Sequence, residues 1–210
     1  PDGAGKTTLA SQAPSPIFLG TEDGFGLIDV PRFPEPRSWQ HVLDGVEELS
    51  REEHDYRTIV LDTLDHIEPL VFAHVAAANN VKTIEEVGGG FGKGYIAALD
   101  EWRKLLARLD AARARGLTIV CLSHAQMKTF KNPEGPDYDR FSLKINDRAA
   151  ALFREWCDAV LFLRFEDLVE KERRNDKKGK ATGGQRVLYT ERTPAYDAKN
   201  RFNLEPAILM

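Results

Sequence analysis

Cysteine is nearly absent: Cys121 and Cys157 are the two thiols in 210 residues. Two thiols cannot build a disulfide framework, nor a zinc knuckle by themselves, and such sparse use fits a reducing, cytoplasmic setting. Both read as buried residues of apolar character. No run of about 18 apolar residues occurs, so no membrane-spanning helix and no membrane partner are expected. No charged-then-apolar leader opens the chain, so no secretion signal is expected. Positive charge is not in excess either: 29 Lys and Arg face 33 Asp and Glu, a net charge of −4. A globally basic nucleic-acid binder is thereby excluded, while a local basic patch is not. What is present is 42% hydrophobic and 30% charged residues. That is the composition of a soluble globular chain, long enough to bury one full core, and a single domain over 1–210 is expected.

The first residues carry the strongest signal. Asp2-Gly3-Ala4-Gly5-Lys6-Thr7-Thr8 is a phosphate loop of the pattern G-x-x-x-x-G-K-[ST], with everything present after its first glycine. That glycine and the strand feeding the loop would precede Pro1, and no initiator Met opens the chain. The expectation is a chain that begins inside a longer polypeptide.

Alternation of apolar runs and helical periodicity continues from there. A helix over 5–13 should follow the loop. Ile17-Phe18-Leu19 and Thr58-Ile59-Val60-Leu61 are short continuous apolar runs, suited to parallel strands buried on both faces. Ser38 is a good N-cap for a helix burying Trp39, Val42, Leu43, Val46 and Leu49. Residues 64–78 and 96–115 are predicted helical, the latter through Leu99, Trp102, Leu105, Leu106 and Leu109, with Gly116 closing it. Gly88–Gly94 reads as a flexible loop. Leu117–Leu122 is a third buried strand, 125–141 a long loop, 145–155 a helix and 159–165 a strand. Residues 166–190 are expected to form a hairpin, whose tip over 171–180 holds six Lys or Arg against two acids. The pattern implies an α/β fold with a mostly parallel sheet flanked by helices, a C-terminal β-hairpin, and the ligand at the carboxyl ends of the strands.

These positions suggest particular chemistry. Backbone N–H groups of the loop would hold phosphate oxygens. Lys6 would offset the charge of the β- and γ-phosphates, and the Thr7 hydroxyl would ligate Mg²⁺. Asp62, ending the second apolar run, is placed to hold the same ion through its water shell. Glu22 and Asp23 follow the first run, where a carboxylate could address a water in line with the γ-phosphate. His124 and Gln126 follow the Leu117–Leu122 run and could sense that phosphate by hydrogen bonding. Asp65 reads as a surface residue. His41, His54, His66 and His74 show no spacing that suggests a metal site.

The order Gly-Lys-Thr, strand then Glu22, strand then Asp62, strand then His124 resembles that of RecA-like ATPases. Within these the chain resembles the phage RecA-like recombination and single-strand-annealing ATPases, the Sak-type or AAA-24 group. The stretches that carry this are Phe91-Gly92-Lys93-Gly94-Tyr95, Ser123-His124, Asp137-Tyr138-Asp139-Arg140 and Ala198-Lys199-Asn200-Arg201. The resemblance implies a RecA-like P-loop NTPase using ATP and Mg²⁺, with Glu22 as the catalytic carboxylate. It implies two DNA-facing segments, Gly88–Tyr95 and Gln126–Phe141. Phe91, Lys93, Tyr95, Lys128, Phe130 and Lys131 would there stack bases and track the phosphates of single-stranded DNA. Against this, Glu85, Glu86, Glu134, Asp137 and Asp139 flank both segments. It also implies a ring or filament of identical subunits, with a single-strand-binding protein as a further partner. Lys199 and Arg201, two apart, would point to one side of an extended segment, resembling the Lys-x-Arg finger that enters a neighbour's ATP site. Two other readings remain open at this point: a small-molecule or nucleotide kinase, and a non-catalytic ATP-dependent switch or helicase loader.

Overall fold

A computed structural model describes residues 3–20, 26, 28–170 and 180–210. These residues divide into two compact units, one of 6–124 with 143–151, the other of 3–5, 125–142 and 152–210.

The first unit is built on a parallel sheet of β1 (Pro16–Gly20), β2 (Thr58–Asp62) and β3 (Thr118–Cys121), in the order β1-β2-β3. Gly20 lies opposite Asp62, and Leu61 opposite Cys121, so the strands end at one edge of the sheet. Every residue of β2 is buried, which explains its unbroken apolar run. Around the sheet lie α1 (Lys6–Ser11), α2 (Trp39–Arg51), α3 (Leu64–Ala78) and α4 (Lys93–Ala114). Ala10, Phe18 and Val60 pack together with Val30, Val120 and Leu122, which ties α1 to the sheet.

Local chemistry sets the helix ends. Ser38 accepts a hydrogen bond from the His41 N–H at 3.2 Å and starts α2. Past the end of α4, Gly116 takes φ +94°, and its N–H donates to the Arg113 carbonyl. The predicted faces are the buried ones: Trp39, Val42, Leu43, Val46 and Leu49 on α2, and Trp102, Leu105, Leu106 and Leu109 on α4. Each fully buried Leu contributes about 1.5–3 kcal/mol. Trp39 and Trp102 meet edge to face at 5.4 Å, and the Trp39 indole N–H donates to Glu101 Oε2 at 2.8 Å.

The glycine-rich segment departs from expectation. Ile84–Gly89 forms 3₁₀ turns interrupted by non-helical backbone at Val87 and Gly88, residues 88–92 all take positive φ, and α4 begins at Lys93, inside the expected loop. Gly94 serves close packing: a Cβ there would stand 2.0 Å from the Ile84 carbonyl oxygen.

The second unit holds antiparallel pairings. β7 (Phe162–Glu170) pairs with β8 (Lys180–Tyr189), which pairs with β10 (Ala207–Leu209). β6 (Ala159–Val160) pairs with β9 (Lys199–Asn200). Residues 125–141, expected as a loop, instead carry the paired strands β4 (Ala125–Phe130) and β5 (Tyr138–Leu143). Alternating burial along β4 was masked in the sequence by the turn residues Pro133, Gly135 and Pro136. α5 (Asp147–Trp156) precedes β6. Phe162 stacks on Tyr196 at 4.6 Å, and Asp197 accepts from Arg140 at 2.5 Å and Arg154 at 3.0 Å. No helix among the described residues is long and apolar enough to cross a membrane.

Candidate functional site

The phosphate-loop residues adopt backbone conformations that demand glycine. Gly3 has φ +66° and Gly5 φ +93°, both left-handed, where a side chain is strained. Ala4 between them is buried. Lys6 and Thr7 open α1, and Thr8 follows on its exposed side. Asp2, Glu22, Asp23 and the basic tip over 171–179 lie outside the described residues.

The sheet brings Thr7 and Asp62 together across 55 positions of sequence. Thr7 Oγ1 donates to Asp62 Oδ2 at 2.9 Å. Asp62 is the last residue of β2 and is 2% exposed. A buried carboxylate is costly unless paired or bound to a cation. A hydroxyl and a carboxylate are the hard oxygen donors that Mg²⁺ selects. The two residues therefore fit this ion: the Thr7 hydroxyl would ligate it while donating to Asp62, which would hold it through its water shell.

Asp65 requires a correction. Its side chain is 3% exposed, not a surface group, and both of its oxygens serve His124. Oδ1 accepts from the His124 backbone N–H at 2.9 Å, and Oδ2 meets His124 Nδ1 at 2.8 Å. Burial by itself would raise the Asp65 carboxyl. The hydrogen bonds from the backbone and ring of His124 outweigh it and hold the group below its ordinary 3.8. His66 stands beside them, its ring 5.7 Å from that of His124. Potential ligand atoms of Asp65, His66 and His124 lie within 4.8 Å of one another, so a metal-competent trio exists that spacing did not suggest. The signal was topological: Asp65-His66 and Ser123-His124 follow neighbouring parallel strands.

Of the residues expected to face DNA, Lys93, Tyr95, Phe130 and Lys131 have local partners. Phe91 is 99% exposed, with φ +56°. Lys93 Nζ donates to the Gly88 carbonyl at 2.9 Å. The Tyr95 hydroxyl donates to Glu85 at 2.8 Å, which raises it above its ordinary range. Lys131 pairs with Asp137 at 2.6 Å. Phe130 packs on Tyr138 at 5.2 Å, and the Arg140 guanidinium lies over the Phe130 ring at 5.4 Å. Lys128 is half-buried on β4. Of the flanking acids, Glu85 and Asp137 thus bind two of the residues they flank, Tyr95 and Lys131.

Lys199 and Arg201 do not form one outward clamp. β9 ends at Asn200, and Lys199 Nζ donates to the carbonyls of Arg154, Glu155 and Cys157 at 3.1, 3.0 and 2.5 Å. These are the unpartnered acceptors at the C-terminus of α5, where a cation is favoured. Arg201 pairs with Asp158 at 2.8 Å, with both side chains largely exposed. The two cysteines are half-buried rather than buried. Burial raises the Cys157 thiol, so it is no ready nucleophile.

Comparison with known proteins agrees with this geometry. A family model described as an AAA domain matches residues 1–202. No curated protein matches the chain. A glycine loop with Lys6 and Thr7, a buried strand-end Asp62 and a parallel α/β sheet are what nucleotide binding requires, and the chain belongs to the AAA-domain family of P-loop ATPases.

Proposed function

We propose that the chain is a magnesium-dependent ATP hydrolase of RecA-like type that acts on single-stranded DNA in phage recombination or annealing. The observation that carries the hydrolase reading is the 2.9 Å contact between Thr7 and Asp62, set beside the Gly5-Lys6 turn. Lys6 offsets phosphate charge, Thr7 and Asp62 hold Mg²⁺, and Glu22 supplies the carboxylate toward water. When bound, the ion polarises the phosphoryl oxygens.

The DNA reading rests on Phe91, fully exposed two residues before Lys93, as a surface on which a base can stack. Lys93, Tyr95, Lys128, Phe130 and Lys131 extend that surface when strand binding releases them from their local partners. The working form is a homo-oligomeric ring or filament in the cytoplasm of a bacterial host, alongside a single-strand-binding protein. Of the two late cations, Arg201 is the one available to reach a neighbour, because exposed pairs such as Arg201–Asp158 are worth at most about 1 kcal/mol.

The test is phosphate release from Mg–ATP, with and without single-stranded DNA, for the wild type and Lys6→Ala. The expected result is DNA-stimulated release that Lys6→Ala abolishes. A wild-type rate in Lys6→Ala would remove the phosphate-loop assignment. Release indifferent to DNA would remove the DNA assignment alone.

A further inference from the structure

The Asp65–His124 pair is used by nothing described so far. Its geometry is specific. Asp65 lies in the first turn of α3, where a carboxylate is favoured by the helix dipole. From there it accepts from the backbone N–H of His124 at 2.9 Å and from its ring at 2.8 Å. The backbone of His124 is held on its other side as well, since its carbonyl accepts from the Lys144 N–H at 2.9 Å. Ser123 Oγ also reaches Asp65 Oδ1, at 3.4 Å.

This pair sits at the edge where the phosphate site lies. β2 and β3 are adjacent and parallel, with Leu61 opposite Cys121. Beyond that register, the Leu122 N–H donates to the Leu61 carbonyl, and the Leu64 N–H donates to the Leu122 carbonyl. Asp62 and His124 therefore leave the same end of neighbouring strands.

The hydrogen-bond inventory then decides the tautomer. An ionised carboxylate only accepts, so at 2.8 Å the His124 Nδ1 must be the donor. A neutral imidazole with a proton on Nδ1 carries its lone pair on Nε2. Such a ring accepts a hydrogen bond at Nε2 and cannot donate one to a phosphate there.

We infer that Asp65 is a positioning residue that locks His124 in the Nδ1–H tautomer, so that Nε2 accepts a hydrogen bond from the attacking water rather than donating to the γ-phosphate. The inference rests on the hydrolase reading above and changes the task of His124 within it. The logic is that of a carboxylate orienting a histidine in a hydrolytic triad, where asparagine in place of the carboxylate imposes the wrong tautomer at a cost of about 10⁴ in kcat. Asp65→Asn should do the same here: its amide can still accept from the His124 backbone, but presents N–H donors to Nδ1 and so drives the proton to Nε2.

The experiment joins a spectroscopic arm to a kinetic one. Long-range ¹H–¹⁵N spectra of ¹⁵N-labelled protein at pH 8, with His124 assigned by its loss in His124→Gln, report which ring nitrogen carries the proton. The wild type should show Nδ1–H, and Asp65→Asn should show Nε2–H. In parallel, Asp65→Asn should lower kcat for Mg–ATP hydrolysis roughly 10²–10⁴-fold with KM nearly unchanged. A wild-type ring protonated on Nε2 alone, or on both nitrogens, overturns the proposal. So does a tautomer that flips while kcat stays. Zinc chloride that saturates at micromolar concentration and perturbs both His66 and His124 also overturns it, assigning the trio to a metal instead. If Asp65→Asn does not fold, the wild-type spectrum still decides the tautomer, and Asp65→Glu, with its carboxylate displaced by one methylene, supplies the kinetic arm. A wild type that releases no phosphate overturns the hydrolase reading and the water's role with it, an outcome distinguishable from a wrong tautomer in the spectra.

Discussion

Replacing Lys199 by Met separates an intramolecular anchor from a catalytic finger. Met keeps most of the aliphatic stem and removes the three donors that Lys199 directs at Arg154, Glu155 and Cys157. A helix leaves its last carbonyls without partners, and a cation at that end is worth about 0.3–1 kcal/mol when exposed and up to about 2 in partly buried geometry. Hydrogen bonds from a charged donor contribute about 1.5–3 kcal/mol each. These figures describe the same interaction and do not add. Lys199 is half-buried, so water takes over some of the acceptors once the ammonium is gone. A loss of about 2 kcal/mol follows, and in a chain of this size that lowers the unfolding midpoint by roughly 4–8 °C. Thermal unfolding followed by circular dichroism measures it. Lys199→Arg should fall between, because a planar fork cannot converge on three carbonyls as an ammonium does. A second readout is Cys157, whose thiol is raised by burial and partly lowered by the Lys199 charge. Without that charge it should react more slowly with a thiol reagent at pH 8. A midpoint within about 1 °C of wild type, with ATP turnover lost, would refute the anchor and return Lys199 to the finger.

Arg201→Ala should leave the unfolding free energy unchanged to within about 0.5 kcal/mol, because both it and its partner Asp158 are exposed. It should bind ATP, turn over slowly, and regain some activity when mixed with Lys6→Ala; equal turnover by Arg201→Ala and wild type at all concentrations would exclude a role in trans. Gly94→Ala should destabilise by about 1–3 kcal/mol or prevent folding, since the added Cβ meets the Ile84 carbonyl at 2.0 Å; a wild-type midpoint in urea would contradict that packing. Glu101 predicts a pH effect. Burial alone would raise its carboxyl, but hydrogen bonds from Lys104 and Trp39 and the charges of Lys104 and His74 bring it below 4.5. Its folded pKa is thus depressed, so its contribution is complete above about pH 4.5 and is lost as pH falls through the lower folded value. Midpoints measured from pH 6 to 2 should fall less steeply in Glu101→Gln than in wild type.

Local chemistry alone determined much of this protein. Unbroken apolar runs made β1, β2 and β3 legible within a residue or two, but only β1 and β2 are buried as their runs indicated; β3 is half-buried, with Thr118 exposed. Period-3.6 faces and a Ser38 cap did the same for α2, and α3 spans the residues its pattern indicated. The glycine–lysine–threonine loop and the strand-end Asp62 were legible because their chemistry depends on residue type at fixed spacing. What only tertiary structure decided are pairings between distant segments. Nothing local to Asp65 says that it is buried, since its burial comes from the chain after β3 folding against the start of α3. Lys199 and Arg201 are equivalent by spacing, yet one ammonium lies on the carbonyl end of α5 and the other cation lies on an exposed carboxylate. Gly94 read as slack in the chain, whereas its missing side chain lets a carbonyl approach. Sequence periodicity reports which face of an element is apolar; it carries no information about which polar group from elsewhere arrives to satisfy a buried charge.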